Sequence, residues 1–125
     1  MQVKELMKRP YVIDSDITLP EVAQIMSSKS IGSLIFVSRN RVRGIITESD
    51  MLKNFGKNKK VSQVMSKNVI TINPEQEISE ALGLMKENKI KRIPVIDDQK
   101  KLIGIISMRD IAANVNKLEG EFFFN

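Results

Sequence analysis

The sequence predicts a mixed α/β (α+β) fold of two pseudo-symmetric β-α-β-β-α repeats packed through their sheets into one compact module. Three observations lead there. Gly44-Ile45-Ile46-Thr47-Glu48-Ser49-Asp50 returns as Gly104-Ile105-Ile106-Ser107-Met108-Arg109-Asp110, with a hydroxyl residue fourth in both. Val3-Lys4-Glu5-Leu6-Met7 matches Val61-Ser62-Gln63-Val64-Met65, and residues 19–37 align with 78–96 at a constant offset of 59. Within each copy the apolar spacing shifts from helical to strand-like and back. A repeat of about sixty residues is marginal alone, so 1–60 (with a linker at 53–60) and 61–125 (with a C-terminal tail) are expected to share one core.

The elements follow in order. Leu19, Val22, Ala23 and Met26 have the i, i+3, i+4, i+7 spacing of one helix face, as do Ile78, Ala81, Leu82 and Met85. Thr18-Leu19-Pro20-Glu21 supplies a capping box and a first-turn proline for the first helix, whereas Glu77 is a poorer cap for the second. The short apolar runs Leu34 to Val37 and Ile93 to Ile96 read as strands buried on both faces. Polar turns at 38–41 and 97–101 lead into hairpin partners at Val42 to Thr47 and Leu102 to Ser107, and helices begin near Asp50 and Asp110.

Composition removes function classes. The 125 residues are 42% hydrophobic and 28% charged, which suits one soluble domain, and no apolar run approaches the roughly 18 residues that cross a bilayer. The first ten residues hold no apolar stretch of signal-peptide length, so cytoplasmic residence is expected. With no Cys and no His there is no thiolate nucleophile and no imidazole base or ligand. No carboxylate pair or isolated lysine has a setting that suggests a shifted pKa. A non-catalytic protein is expected, with no metal and no required cofactor. Residues 1–60 carry 11 Lys and Arg against 6 Asp and Glu, residues 61–125 nine against nine, so the whole excess of +5 lies in the first half. Arg39, Arg41, Arg43, Lys53, Lys57, Lys59 and Lys60 form either a basic patch or a solvated hairpin tip and linker.

Together the leading Met segment, the extended Val or Thr segment, the helix ending in Met, the hairpin with Ile93-Pro94-Val95-Ile96-Asp97 and the Gly-Ile-Ile-(Thr/Ser)-x-x-Asp motif resemble the cystathionine-β-synthase (CBS) domain. Two in tandem resemble a stand-alone CBS pair, or Bateman module, over residues 3 to about 115. The resemblance implies a non-catalytic regulatory sensor that binds AMP, ADP, ATP or S-adenosylmethionine in clefts between the repeats. It implies ribose and phosphate contacts at Thr47, Asp50, Ser107, Arg109 and Asp110. The adenine walls would be Val12, Ile13, Gly32, Ser33, Leu34, Ile70, Thr71, Lys91, Arg92, Ile93 and Pro94. The residue types suit this: a carboxylate accepts from both hydroxyls of a diol, and a hydroxyl at a helix start donates to phosphate.

Each assignment has a structural rival. Thr47-x-x-Asp50 and Ser107-x-x-Asp110 also fit a capping box, Ile93 to Ile96 fit core packing, and Lys91 and Arg92 fit ordinary surface charge. The copies differ where a ligand's charge would sit: Arg109 precedes Asp110, but Ser49 and Glu48 precede Asp50. The first copy also has Ile35 and Ser38 where the family usually has Pro and Asp. The second site is therefore expected to bind a phosphorylated ligand more tightly. Expected partners are a second copy and a regulated protein; Phe122-Phe123-Phe124 fit either that interface or a C-terminal segment that packs on its own domain or forms a mobile tail. The alternatives are a nucleic-acid-binding regulator using the basic first half and a ligand-free dimerisation scaffold.

Overall fold

The computed structural model describes residues 1–117; Phe122 to Phe124 lie outside them. Two compact units form, and their limits are offset from the sequence repeats. The first runs from Tyr11 to Val69, and the second joins Met1–Pro10 to the chain from Ile70 onward. Each repeat's leading segment belongs to the unit whose sheet the other repeat builds.

In the first unit, β1 (Val12–Ile13), α1 (Leu19–Lys29), β2 (Ser33–Ser38), β3 (Arg41–Thr47), α2 (Glu48–Lys53) and α3 (Val61–Val64) follow in order. The second holds a 3-10 turn (Val3–Glu5), α4 (Ile78–Asn88), β4 (Arg92–Ile96), β5 (Leu102–Ser107) and α5 (Met108–Ala113). The long helices form where the apolar spacing predicts. Leu19, Val22 and Met26 are buried on α1, and Ile78, Ala81 and Met85 on α4. Ala23, counted with that face, is exposed. Thr18 Oγ1 accepts from the Glu21 amide at 3.3 Å, while Glu77 gives α4 no side-chain cap.

The first sheet has the order β1-β2-β3, with β1 parallel to β2 and β2 antiparallel to β3. The second is the antiparallel hairpin β4-β5. Neighbouring Leu34 and Ile35 are both buried, as are Ile93, Pro94 and Val95, so β2 and β4 are covered on both faces as expected. The hairpins bulge at equivalent places, Phe36/Val37 and Val95/Ile96. An outer lane is added by the exchanged leading segments, where Ser66 bridges Ile45 and Lys8 bridges Ile105.

The extended segment that opens the second repeat is reduced to one parallel bridge, Ile72 to Val95. Proline explains the difference from β1. In the first unit the Ile35 amide donates to Tyr11 O at 3.0 Å, and the residue equivalent to Ile35 is Pro94, which has no N–H. One step on, Pro74 likewise has no amide to give, and the side chain of Asn73 donates to Ile96 O at 3.2 Å.

The expected single core is two clusters among the described residues. One gathers Leu19, Val22, Met26, Leu34, Ile46 and Val61; the other centres on Val3, Leu6, Ile72, Ile78, Met85, Ile93, Val95 and Ile106. The exchanged segments supply Val61 to the first and Val3 and Leu6 to the second. Each also lays a methionine on a strand glycine, Met65 on Gly44 and Met7 on Gly104. No helix among the described residues is long and apolar enough to cross a membrane.

Candidate functional site at two strand–helix junctions

Each unit ends its hairpin in the repeated motif, and the chain turns there from strand into a six-residue helix. Pairing fixes the junctions: Ser33 faces Thr47 across β2-β3, and Arg92 faces Ser107 across β4-β5. The Glu48 amide donates to Gly32 O at 3.1 Å, and the Met108 amide to Lys91 O at 2.8 Å. The start of the buried strand and the start of the helix are thus tied together in both units.

Of the predicted residues, Val12, Ile13, Gly32, Ser33, Leu34, Thr47 and Asp50 lie in the first unit. Ile70, Thr71, Lys91, Arg92, Ile93, Pro94, Ser107, Arg109 and Asp110 lie in the second. Leu34, Ile93 and Pro94 bury their side chains, so what they offer a ligand is backbone. Lys91 and Arg109 are exposed, and Asp50 and Asp110 are half-buried.

The carboxylates are engaged, but only in part. Asp50 Oδ2 accepts from the Thr47 amide at 2.9 Å and from Thr47 Oγ1 at 3.1 Å, while the Asp50 amide reaches Thr47 Oγ1 at 3.5 Å. That is a full capping box. Among the described residues Asp110 Oδ2 accepts only from Ser107 Oγ, at 2.8 Å, and the Asp110 amide donates back to the same hydroxyl at 3.1 Å. The helix-starting reading of the motif is therefore satisfied in both copies. Oδ1 of each aspartate has no partner among the described residues. The expected supply of free helix amides is smaller than the sequence suggested: the first and third are taken internally, leaving those of Ser49 and Arg109.

The junctions differ in a way the motif alone does not reveal. Tyr11 O in the first unit is bonded by the Ile35 amide, whereas Ile70 O in the second has no donor among the described residues. Pro94 is the cause, and the Ile-to-Pro difference between the copies was the signal that could have found it. Elsewhere in the first unit a groove of about 390 Å³ is lined by Leu19, Pro20, Ala23, Met51 and residues 54–58. It contains none of the predicted ligand residues.

The chain matches the CBS domain over residues 3–57 and again over 61–117, and it belongs to that family. It is 38% identical over 106 residues to an uncharacterised 17.7 kDa protein in the bps2 3′ region of Acidianus ambivalens, covering 82% of this chain and 65% of that protein. It is also 38% identical over 107 residues to inosine-5′-monophosphate dehydrogenase of Methanocaldococcus jannaschii, covering 85% of this chain but 22% of the enzyme. The chain therefore spans less than two thirds of either relative. Among solved structures, it resembles the CBS domain pair of protein MJ0100 in complex with 5′-methylthioadenosine and S-adenosyl-L-methionine. The TM-score is 0.86 at 30% identity, over 94% of this chain and 97% of that one.

Proposed function

We propose that this CBS pair is a non-catalytic regulatory module that binds an adenosyl ligand, AMP, ADP, ATP or S-adenosylmethionine, at its strand–helix junctions. The likeness to a CBS pair in complex with two adenosyl compounds supports the class of ligand. The observation that carries the reading is the backbone carbonyl of Ile70, without a donor among the described residues, in the unit that also holds Asp110 and Arg109.

A 6-aminopurine donates from its exocyclic amine, and a free carbonyl is the complementary acceptor. Asp110, less committed than Asp50, takes the ribose hydroxyls through Oδ1. The Arg109 guanidinium neutralises a phosphate, which Ser49 in the first unit does not do. The second unit is accordingly the tighter phosphonucleotide site. Binding regulates by favouring one arrangement of the protein over another, and only to the extent that the ligand prefers it. The reading includes a cytoplasmic homodimer and a regulated partner protein; sedimentation of the purified chain tests the former.

A thermal-shift panel of adenosine, AMP, ADP, ATP, S-adenosylmethionine and IMP tests the ligand. A hundredfold excess over the dissociation constant adds about 2.7 kcal/mol and moves the midpoint by several degrees. AMP is expected to outperform IMP, whose 6-oxo group meets the carbonyl with a second acceptor. Arg109→Ala is expected to weaken AMP roughly tenfold or more, as for a lost charge-assisted bond, and adenosine little. Pro94→Ala restores an amide that competes for Ile70 O and is expected to narrow the preference for AMP over IMP. No response to any adenosyl compound, or equal losses of AMP and adenosine on Arg109→Ala, overturns the corresponding part of the proposal.

A further inference from the structure

The tip of the first unit's hairpin carries a charge pattern that the junction sites leave unexplained. Arg39, Arg41 and Arg43 are all exposed, and Arg41 and Arg43 alternate with half-buried Val42 along β3. The bulge opposite Phe36 and Val37 leaves Arg43 outside the ladder pairing. The antiparallel bridge from Ile45 to Ser66 then brings exposed Lys67 alongside this end of the strand. None of these four cations makes an ion pair or side-chain hydrogen bond among the described residues. The unit holds nine Lys and Arg against five Asp and Glu. Of those acids, Glu48 and Asp50 sit on α2 at the other end of β3, Asp16 is bonded to Ser62, and Glu21 is in the first turn of α1. Asp14 follows β1, on the opposite edge of the sheet from β3.

A comparison inside the molecule separates this from an ordinary solvated turn. The equivalent tip of the second unit carries Asp97 and Asp98, and Ile103 stands where β3 has Arg43. There Asp97 Oδ1 accepts from the amides of Gln99 and Lys101 at 2.8 and 2.9 Å, and Asp97 and Asp98 offset Lys100 and Lys101, so that tip is neutral and holds itself together. The same fold is thus built without a net positive charge at the tip. Moreover, Arg39 and Asn40 make a two-residue turn with φ of 53° and 62°. Such a turn favours Asn and Gly at both places, and a long side chain in the left-handed region is a local cost. Lys100 in the second tip takes the same conformation, with φ of 64°, so what distinguishes the first tip is its net charge.

We propose that this hairpin tip, with Arg39, Arg41, Arg43 and Lys67, binds the phosphate backbone of single-stranded nucleic acid without reading its bases. Guanidinium forks pair with phosphate oxygens in bidentate fashion, and residues two apart on a strand are about 7 Å apart, suited to tracking successive phosphates of an extended chain. Among the described residues no helix lies on the tip to enter a duplex groove, so a single strand is favoured over a double one. The surface is independent of the nucleotide junctions.

Fluorescence anisotropy of the intact protein with a labelled oligothymidylate tests the idea across a salt series. Neutralising three to four phosphates predicts a log–log salt slope of roughly −2 to −3 and micromolar-range binding at low salt. Arg39→Gln, Arg41→Gln and Arg43→Gln combined are expected to weaken binding more than tenfold and flatten the slope by about 2. The matching Lys triple is expected to keep most of the affinity, and Lys100→Gln with Lys101→Gln in the second unit to change little. An unaltered melting midpoint of the Gln triple shows that folding is intact. The proposal is overturned by a slope the Gln triple leaves unchanged, by equal losses in the second-unit variant, by tighter binding of duplex, or by polyglutamate competing as well as the oligonucleotide.

Discussion

Single side chains decide several properties of these units, and Asp16 is a clear case. Its carboxylate accepts from Ser62 Oγ at 2.6 Å and from the Ser62 amide at 2.8 Å, tying the loop before α1 to the first turn of α3. The hydroxyl bond, then the amide bond, hold its pKa below the usual 3.8. A group with a depressed folded pKa stabilises above its unfolded value and loses that contribution as pH falls through the folded one. Ser62→Ala is therefore expected to lower the melting midpoint at neutral pH and to shrink the loss of stability on acidification below about 3.8, read from melts across pH. The strand glycines make a second residue-scale case. A Cβ on Gly104 would lie 2.7 Å from Met7 Sδ and 3.3 Å from Lys8 O, whereas the three atoms nearest to one on Gly44 all belong to the Met65 side chain. Gly104→Ala is expected to cost about 1–3 kcal/mol, and Gly44→Ala less, because a thioether can swing away and a backbone carbonyl cannot. Denaturant melts of the two variants check the order.

For the elements, periodicity and caps were legible where the physics is local. Both hairpins follow from short unbroken apolar runs and the polar turns after them, both long helices from spacing of period 3.6, and the first also from Thr18 and Pro20; the poor cap foreseen at Glu77 makes no side-chain cap bond. The C-termini were not foreseen. Ser30 and Lys89 end α1 and α4 with φ of 53° and 55°, a conformation that neither residue type advertises. Lys89→Gly removes the Cβ conflict there and is expected to stabilise by about 0.5–1 kcal/mol, raising the midpoint by a few degrees in a thermal melt. The collapse of the second repeat's leading strand was likewise hidden. Proline in β4 was visible, but its effect depends on which neighbour would have received the missing amide bond.

At the scale of the whole molecule, the exchange of leading segments is the main departure from a simple tandem. Leu6 is 6% exposed and packs in the cluster with Ile78 and Ile106, about a hundred residues away in sequence from the latter. Leu6→Ala is expected to cost about 2–5 kcal/mol and to lower hydrogen-exchange protection of β4 and β5 before that of β2 and β3. Equal loss in both hairpins would contradict the assignment of the segment to the second unit. By itself the sequence determined the two copies, their element order, their family and the residue types gathered at each junction. Repetition, periodicity and capping act over a few neighbours, so a linear reading captures them. Only the tertiary structure decided which leading segment serves which sheet and, among the described residues, that the hydrophobic side chains form two clusters and that Ile70 O is left open while Tyr11 O is not. Those outcomes depend on pairings between residues tens of positions apart, which local periodicity and capping do not specify.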